Sequence, residues 1–124
     1  MLIGLPEGLV QKLQKIQNVA ARILTGCQKR QHITPVLKEL HWLPVKSRIK
    51  YKILLLTFKA LHGQAPGYLR DLITPYVPTR RLRSADQHLL SVPRIQSKTG
   101  ERAFAWAAPH LWNALPIHLR ELSE

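Results

Sequence analysis

The chain has 124 residues and a hydrophobic fraction of 45%, which is enough apolar material for the core of one small domain. Its 19 Lys and Arg residues outnumber its 7 Asp and Glu residues, giving a formal net charge of +12 that attracts polyanions. The single cysteine excludes an intrachain disulfide, and no apolar run approaches the roughly 20 residues of a transmembrane helix. We therefore expect a mainly α-helical protein of the nucleus or cytoplasm that does not bind membranes.

The first predicted helix covers about residues 7–25. Its apolar residues recur at three- and four-residue steps and form one stripe, which consists of Leu9, Leu13, Ile16, Ala20 and Ile23, with Val19 and Leu24 at its edges. The other face is basic and poor in acids, so it either lies along phosphates or is simply solvated. Gly26 stands where a left-handed C-terminal cap is expected.

Thr34 and Pro35 predict the start of a short second helix, with the threonine as N-cap and the proline at the first helical position. The third helix, at about residues 44–62, carries two apolar stripes and is predicted to be the central helix, covered on most sides. Its clear polar interruptions are Lys46, Ser47, Lys50, Thr57 and Lys59. Leu56 lies on the main stripe, so its replacement by Ala is expected to cost about 2–5 kcal/mol. Gly63 is the expected C-cap.

After the third helix the sequence changes character. One further short helix is predicted, and prolines and arginines then characterise a predicted basic linker at residues 74–98. Short C-terminal helices follow at residues 99–120, the first of them ended by Pro109. We therefore expect a single helical domain over residues 1–124, with a helical core at residues 9–73 and a loosely structured C-terminal third.

Catalytic chemistry finds little support in the sequence. Asp71 and Asp86 are the only aspartates and the glutamates are scattered, so no group of carboxylates can hold the two metal ions of a polymerase or nuclease. Cys27, His32 and His41 lack the paired short spacings of a zinc site. The glycines are scattered as caps and turns rather than clustered in a phosphate loop. We expect no enzyme activity, no metal or cofactor, and no small-molecule substrate.

Binding features are concentrated in the C-terminal half of the chain. Six cations lie in a stretch that contains only two acids, and they are Arg80, Arg81, Arg83, Arg94, Lys98 and Arg102. A guanidinium group presents a planar fork of donors that fits a phosphate and can also stack on a base. These six residues are the predicted nucleic-acid-binding site. Trp106 and Trp112 follow this stretch closely. They either stack on unpaired bases or pack in the core, and packing in the core is the favoured alternative.

Six blocks of the sequence are distinctive as a set. They are residues 13–26 (LQKIQNVAARILTG), 32–43 (HITPVLKELHWL), 49–68 (IKYKILLLTFKALHGQAPGY), 81–84 (RLRS), 92–94 (VPR) and 101–119 (ERAFAWAAPHLWNALPIHL). In this order they resemble the C-terminal part of reverse transcriptases of LINE-type retrotransposons, which lack long terminal repeats. The resemblance extends over roughly residues 9–120.

The resemblance implies the thumb or post-thumb region of such an enzyme, which holds template RNA and growing DNA downstream of the palm. The family's catalytic aspartates and its endonuclease domain have no counterpart in this sequence. A non-catalytic fragment of an RNA-directed DNA polymerase is therefore expected, with RNA, single-stranded DNA or an RNA–DNA hybrid as partner. Two alternatives remain open. One is a scaffold that docks its apolar central helix on the missing palm or on another protein, and the other is a translated retroelement remnant without function.

Overall fold

The computed structural model describes residues 2–83 and 87–122, and in these ranges the chain is mainly α-helical, as the sequence predicts. The helices are α1 (Glu7–Thr25), α2 (Ile33–Glu39), α3 (Val45–Leu61), α4 (Gly67–Asp71), α5 (Phe104–Asn113) and α6 (Ile117–Arg120), with a 3₁₀ helix at Gly100–Arg102. Between α4 and the 3₁₀ helix, an isolated antiparallel β-bridge joins Pro75 and Leu90. Residues 84–86, which belong to the predicted linker and include Asp86, lie outside the described residues. No helix in the described ranges is long and apolar enough to cross a membrane.

The chain divides into two compact units. The N-terminal unit is Leu5–Ile49, and the C-terminal unit consists of Met1–Gly4 together with Lys50–Glu124. The boundary falls inside α3, so this helix begins in one unit and ends in the other. The expectation of a single domain over residues 1–124 stays a prediction.

The predicted bounds and caps are correct for α1 but not for α2. α1 has the predicted bounds, and Gly26 caps it in the left-handed region at φ 66°. α2 begins at Ile33, so the predicted N-cap role of Thr34 is wrong, because the threonine already lies inside the helix. Pro35 remains acceptable there, since the N–H groups of a first helical turn have no partner within the helix.

The packing face of α1 combines two glutamines with the buried Ala21. Gln17 Nε2 donates to Leu43 O at 2.8 Å, and Gln14 Oε1 accepts from Val45 N at 2.8 Å, which ties α1 to the start of α3. The core of this unit is small and consists of Ala21, Val36 and Leu37. The predicted apolar stripe is largely exposed, at Leu9, Ile16, Val19, Ile23 and Leu24. The side of α1 that faces its own unit thus makes amide hydrogen bonds, which apolar periodicity does not register.

α3 begins and ends within one residue of its predicted bounds. Gly63 follows α3 in the left-handed region at φ 71°. Gln64 N donates to Lys59 O at 2.8 Å, which is the hydrogen bond of a Schellman motif that spans six residues. The predicted C-cap is confirmed. Thr57, expected to interrupt the apolar faces, is instead fully buried. Its hydroxyl donates to Ile53 O at 2.8 Å, so the polar group is satisfied within the helix itself.

The core of the C-terminal unit consists of Ala60, Ile73, Leu90 and Trp112. α5 continues through Pro109 to Asn113, so the prediction that Pro109 ends this helix is wrong. A proline inside a helix removes one backbone hydrogen bond. The Pro109 ring is fully buried, and the burial of its apolar surface offsets that loss.

Candidate nucleic-acid interface

The six predicted binding residues all lie in the C-terminal unit, and all six side chains are exposed. Arg80, Arg81 and Arg83 lie on the loop that joins the two ends of the bridge between Pro75 and Leu90, and we call this segment the arginine loop. Two backbone hydrogen bonds of 2.8 and 2.9 Å close the bridge. Three of the six cations therefore share one loop with a fixed base.

The remaining three basic residues lie between the β-bridge and α5. Arg94 and Lys98 lie in a segment without regular secondary structure, and Arg102 ends the 3₁₀ helix. The stem of Arg102 lies close to Gly4, where an added Cβ would come within 2.6 Å of the arginine Cγ. Gly4 also has a φ of 76°, so both the space and the backbone conformation require glycine there. The stem of Arg102 is thus held against the N-terminal segment while the side chain stays exposed.

Side chains of α5 hold the C-terminal end of the arginine loop, at residues 88–90. Trp112 Nε1 donates to His88 O at 3.0 Å. Asn113 makes a two-way pair with Leu90, because its Nδ2 donates to the carbonyl oxygen at 2.8 Å and its Oδ1 accepts from the backbone N–H at 2.9 Å. The asparagine amide takes the place of a neighbouring β-strand. The C-terminal end of the arginine loop is therefore fixed to the helical core.

Arg120 extends this network from α6. The residue is 8% exposed, its Nε donates to Gln87 O at 2.9 Å, and its Nη1 donates to Asn113 O at 3.0 Å and to Leu115 O at 2.8 Å. A buried charge is costly unless it is hydrogen-bonded, and here the carbonyl oxygens are the acceptors. Arg120 thus supports the arginine loop rather than facing a ligand at the surface. Sequence reasoning missed this arginine because its partner Gln87 is 33 residues away and its own neighbours give no signal.

The two tryptophans differ in what they can offer to a nucleic acid. Trp112 is 3% exposed and belongs to the core, so the stacking alternative is excluded for this residue. Trp106 is half-buried, and its ring stacks on His110 with the centroids 4.6 Å apart and the planes inclined by 14°. One face of that indole is therefore already covered.

Positive charge is not confined to the predicted site. The N-terminal unit has eight basic and two acidic residues, and the C-terminal unit has eleven basic and five acidic residues. The two units therefore have equal formal net charges. Within residues 2–83 and 87–122, the one ion pair joins Lys46 Nζ and Glu7 Oε2 at 3.7 Å, between two exposed side chains. Charge alone therefore does not single out the arginine loop.

The residues with metal-binding or nucleophilic chemistry are dispersed. In the part of the chain that the structure describes, no three His, Cys, Asp or Glu side chains are grouped as metal ligands. The Cys27 thiol donates to Gln31 Oε1 at 2.7 Å. The thiol is thus paired with a neutral amide, which does not act as a base.

Comparisons with protein-family models, with curated proteins and with solved structures found no match to this chain. The site is accordingly described by its own chemistry. It presents exposed guanidinium groups on a loop whose two ends are held by hydrogen bonds. Such groups can each donate two parallel hydrogen bonds to one phosphate, so the arrangement suits a polyanionic backbone.

Proposed function

We propose that this chain binds RNA, single-stranded DNA or an RNA–DNA hybrid through the phosphate backbone. The observation that carries the proposal is the arginine loop, where three exposed arginines lie on a loop whose ends are held by the bridge and by Trp112, Asn113 and Arg120. Because the ends of the loop are already ordered, less conformational entropy is lost when its arginines bind phosphates.

Recognition of the backbone is favoured over recognition of bases. Trp112 lies in the core, and one face of Trp106 is covered by His110, so the two tryptophans offer little surface for base stacking. Contacts to phosphates position a nucleic acid without reading its sequence. Binding is therefore independent of sequence, and arginine-to-phosphate contacts supply most of its free energy.

The resemblance to LINE-type reverse transcriptases supports the same function from the sequence. In that setting the chain is the non-catalytic part of an RNA-directed DNA polymerase that holds the template and the new strand, in the nucleus or the cytoplasm. Catalysis would need the carboxylates of a palm, and this sequence has only two aspartates, Asp71 and Asp86.

A salt titration tests the proposal. The purified chain is titrated against a labelled RNA–DNA hybrid and two single-stranded RNAs of unrelated sequence, at several salt concentrations, with fluorescence anisotropy as the readout. Four to six phosphate contacts predict a slope of log K against log salt of roughly −3 to −4, from about −0.7 for each contact to a single strand. Absence of binding, or an affinity independent of salt, contradicts the proposal.

A second measurement addresses catalysis. We expect the isolated chain to show no primer extension on a poly(A) template with Mg²⁺ or Mn²⁺, because it has no group of carboxylates to hold the metal ions. Extension that EDTA abolishes would overturn this expectation. An active reverse transcriptase in a parallel reaction serves as the control for template and primer.

A further inference from the structure

α1 exposes an apolar face that no residue of its own unit covers. Leu9, Ile16, Val19 and Ile23 are 46%, 66%, 55% and 75% exposed, although the same helix packs on its unit through Gln14, Gln17 and Ala21. Contiguous exposed apolar surface of this kind marks sites of association.

The spacing of these residues is that of a seam for a second helix. Leu9, Ile16 and Ile23 are seven residues apart, and Val19 lies three residues after Ile16, which corresponds to the a and d positions of successive heptads. At 1.5 Å per residue the seam is about 21 Å long. We call Leu9, Ile16, Val19 and Ile23 the α1 seam.

Two lysines in and beside the line of the seam indicate the chemistry of its partner. Lys12 lies within the heptad pattern at a d position and Lys15 at a g position, and both side chains are exposed. The only acid of α1 is Glu7, which pairs with Lys46. Two copies of α1 would therefore bring lysines together with no acid of the seam to neutralise them, whereas acidic residues on a partner would complement them.

We propose that the α1 seam binds an amphipathic helix of another protein segment whose apolar stripe is flanked by Asp or Glu. The apolar residues of the partner cover the seam, and its acidic residues pair with Lys15 beside the seam and with Lys12 at the first d position. This interaction is separate from the nucleic-acid-binding function, because the arginine loop contributes no residue to it.

The experiment uses the full chain and two designed helical peptides of about three heptads with the same apolar seam. One peptide has Glu at its flanking e and g positions, and the other has Lys there. Fluorescence anisotropy of the labelled peptides gives the two affinities. We expect the Glu peptide to bind at least about tenfold more tightly than the Lys peptide.

Two variants identify the surface. Ile16→Gln with Ile23→Gln should weaken binding of the Glu peptide at least about tenfold, while hybrid binding stays unchanged. Gln keeps the helix propensity of α1, and Gln11→Ala, at an exposed position of α1 outside the seam, is the matched control. Lys12→Glu with Lys15→Glu should reverse the preference, so that the Lys peptide becomes the tighter ligand.

Three outcomes would overturn the proposal. Equal binding of both peptides, or none, would show that acidic flanks are not recognised. A dimer of the wild-type chain in sedimentation that the double Ile variant abolishes would assign the seam to a second copy. Binding to vesicles with anionic lipid, lost in the double Ile variant and without peptide binding, would assign it to a membrane surface.

Discussion

The two units carry equal formal charge but use their apolar residues differently. The C-terminal unit buries Trp112 and Pro109 and ties the arginine loop to its helices. The N-terminal unit has a small core that contains Ala21, Val36 and Leu37, and it leaves the α1 seam exposed. Since both units are equally basic, charge does not distinguish their roles. The difference is that side chains of the C-terminal core hold one end of the arginine loop, whereas α1 of the N-terminal unit carries a row of exposed apolar residues along one helix face.

The largest effect is expected at Trp112. Trp112→Ala removes a buried indole and leaves His88 O without its donor, so the free energy of unfolding should fall by about 3–5 kcal/mol. Urea unfolding followed by far-UV circular dichroism measures the change. Trp112→Phe keeps most of the apolar surface and loses the Nε1 hydrogen bond, so it should cost only about 1–2 kcal/mol. An unchanged midpoint for Trp112→Ala would mean that the indole is not part of the core.

The next effect concerns two residues of α3. Ile53 is 3% exposed, whereas Leu56 is half-buried, so Ile53→Ala should cost about 2–5 kcal/mol and Leu56→Ala roughly half as much. This is less than the sequence-based expectation for Leu56. The same urea unfolding compares the two variants directly. Equal losses at the two positions would contradict the observed orientation of the helix.

The smallest effect is expected on the α1 seam. Ile16→Gln and Ile23→Gln replace exposed side chains, so each should change the free energy of unfolding by less than about 0.5 kcal/mol. Unfolding in urea, read again by circular dichroism, is sufficient to detect a larger change. A loss above about 2 kcal/mol would show that the seam is buried within the folded chain rather than available to a partner.

Features that depend on a few neighbouring residues were predictable from the sequence. The bounds of α1 and α3 and the caps at Gly26 and Gly63 follow from helical periodicity and from the ability of glycine to adopt a positive φ. The prediction that α5 ends at Pro109 also rested on a local property, the missing backbone N–H of proline. It failed because burial of the proline ring, which depends on the rest of the unit, outweighs the lost hydrogen bond.

Features that depend on distant residues were not predictable. The six binding residues are exposed as expected, but nothing near them in sequence shows that Asn113 pairs with Leu90, 23 residues away, and thereby fixes the end of the loop. Arg120 looks like any other arginine of this basic chain, and its burial appears only from its contacts with Gln87 and Leu115. The sequence likewise predicts an apolar stripe on α1, but not that Gln14 and Gln17 lie on the packing face beside Ala21.

Two triple variants that remove the same charge test most directly whether the arginine loop binds the phosphates. One is Arg80→Ala, Arg81→Ala and Arg83→Ala in the C-terminal unit. The matched control is Lys29→Ala, Arg30→Ala and Lys38→Ala, three exposed cations of the N-terminal unit. Both triples lower the net charge equally, so any difference between them reflects position rather than the field of the whole protein.

The measurement is the salt dependence of the affinity for single-stranded RNA. We expect the slope of log K against log salt to become shallower by about 2 in the arginine triple, since three phosphate contacts of about 0.7 each are lost, and to change little in the control. RNAs of unrelated sequence should weaken alike, because phosphate contacts carry no sequence information. A wild-type slope in the arginine triple, or equal changes in both triples, would contradict this assignment and make the arginine loop an ordinary solvated segment.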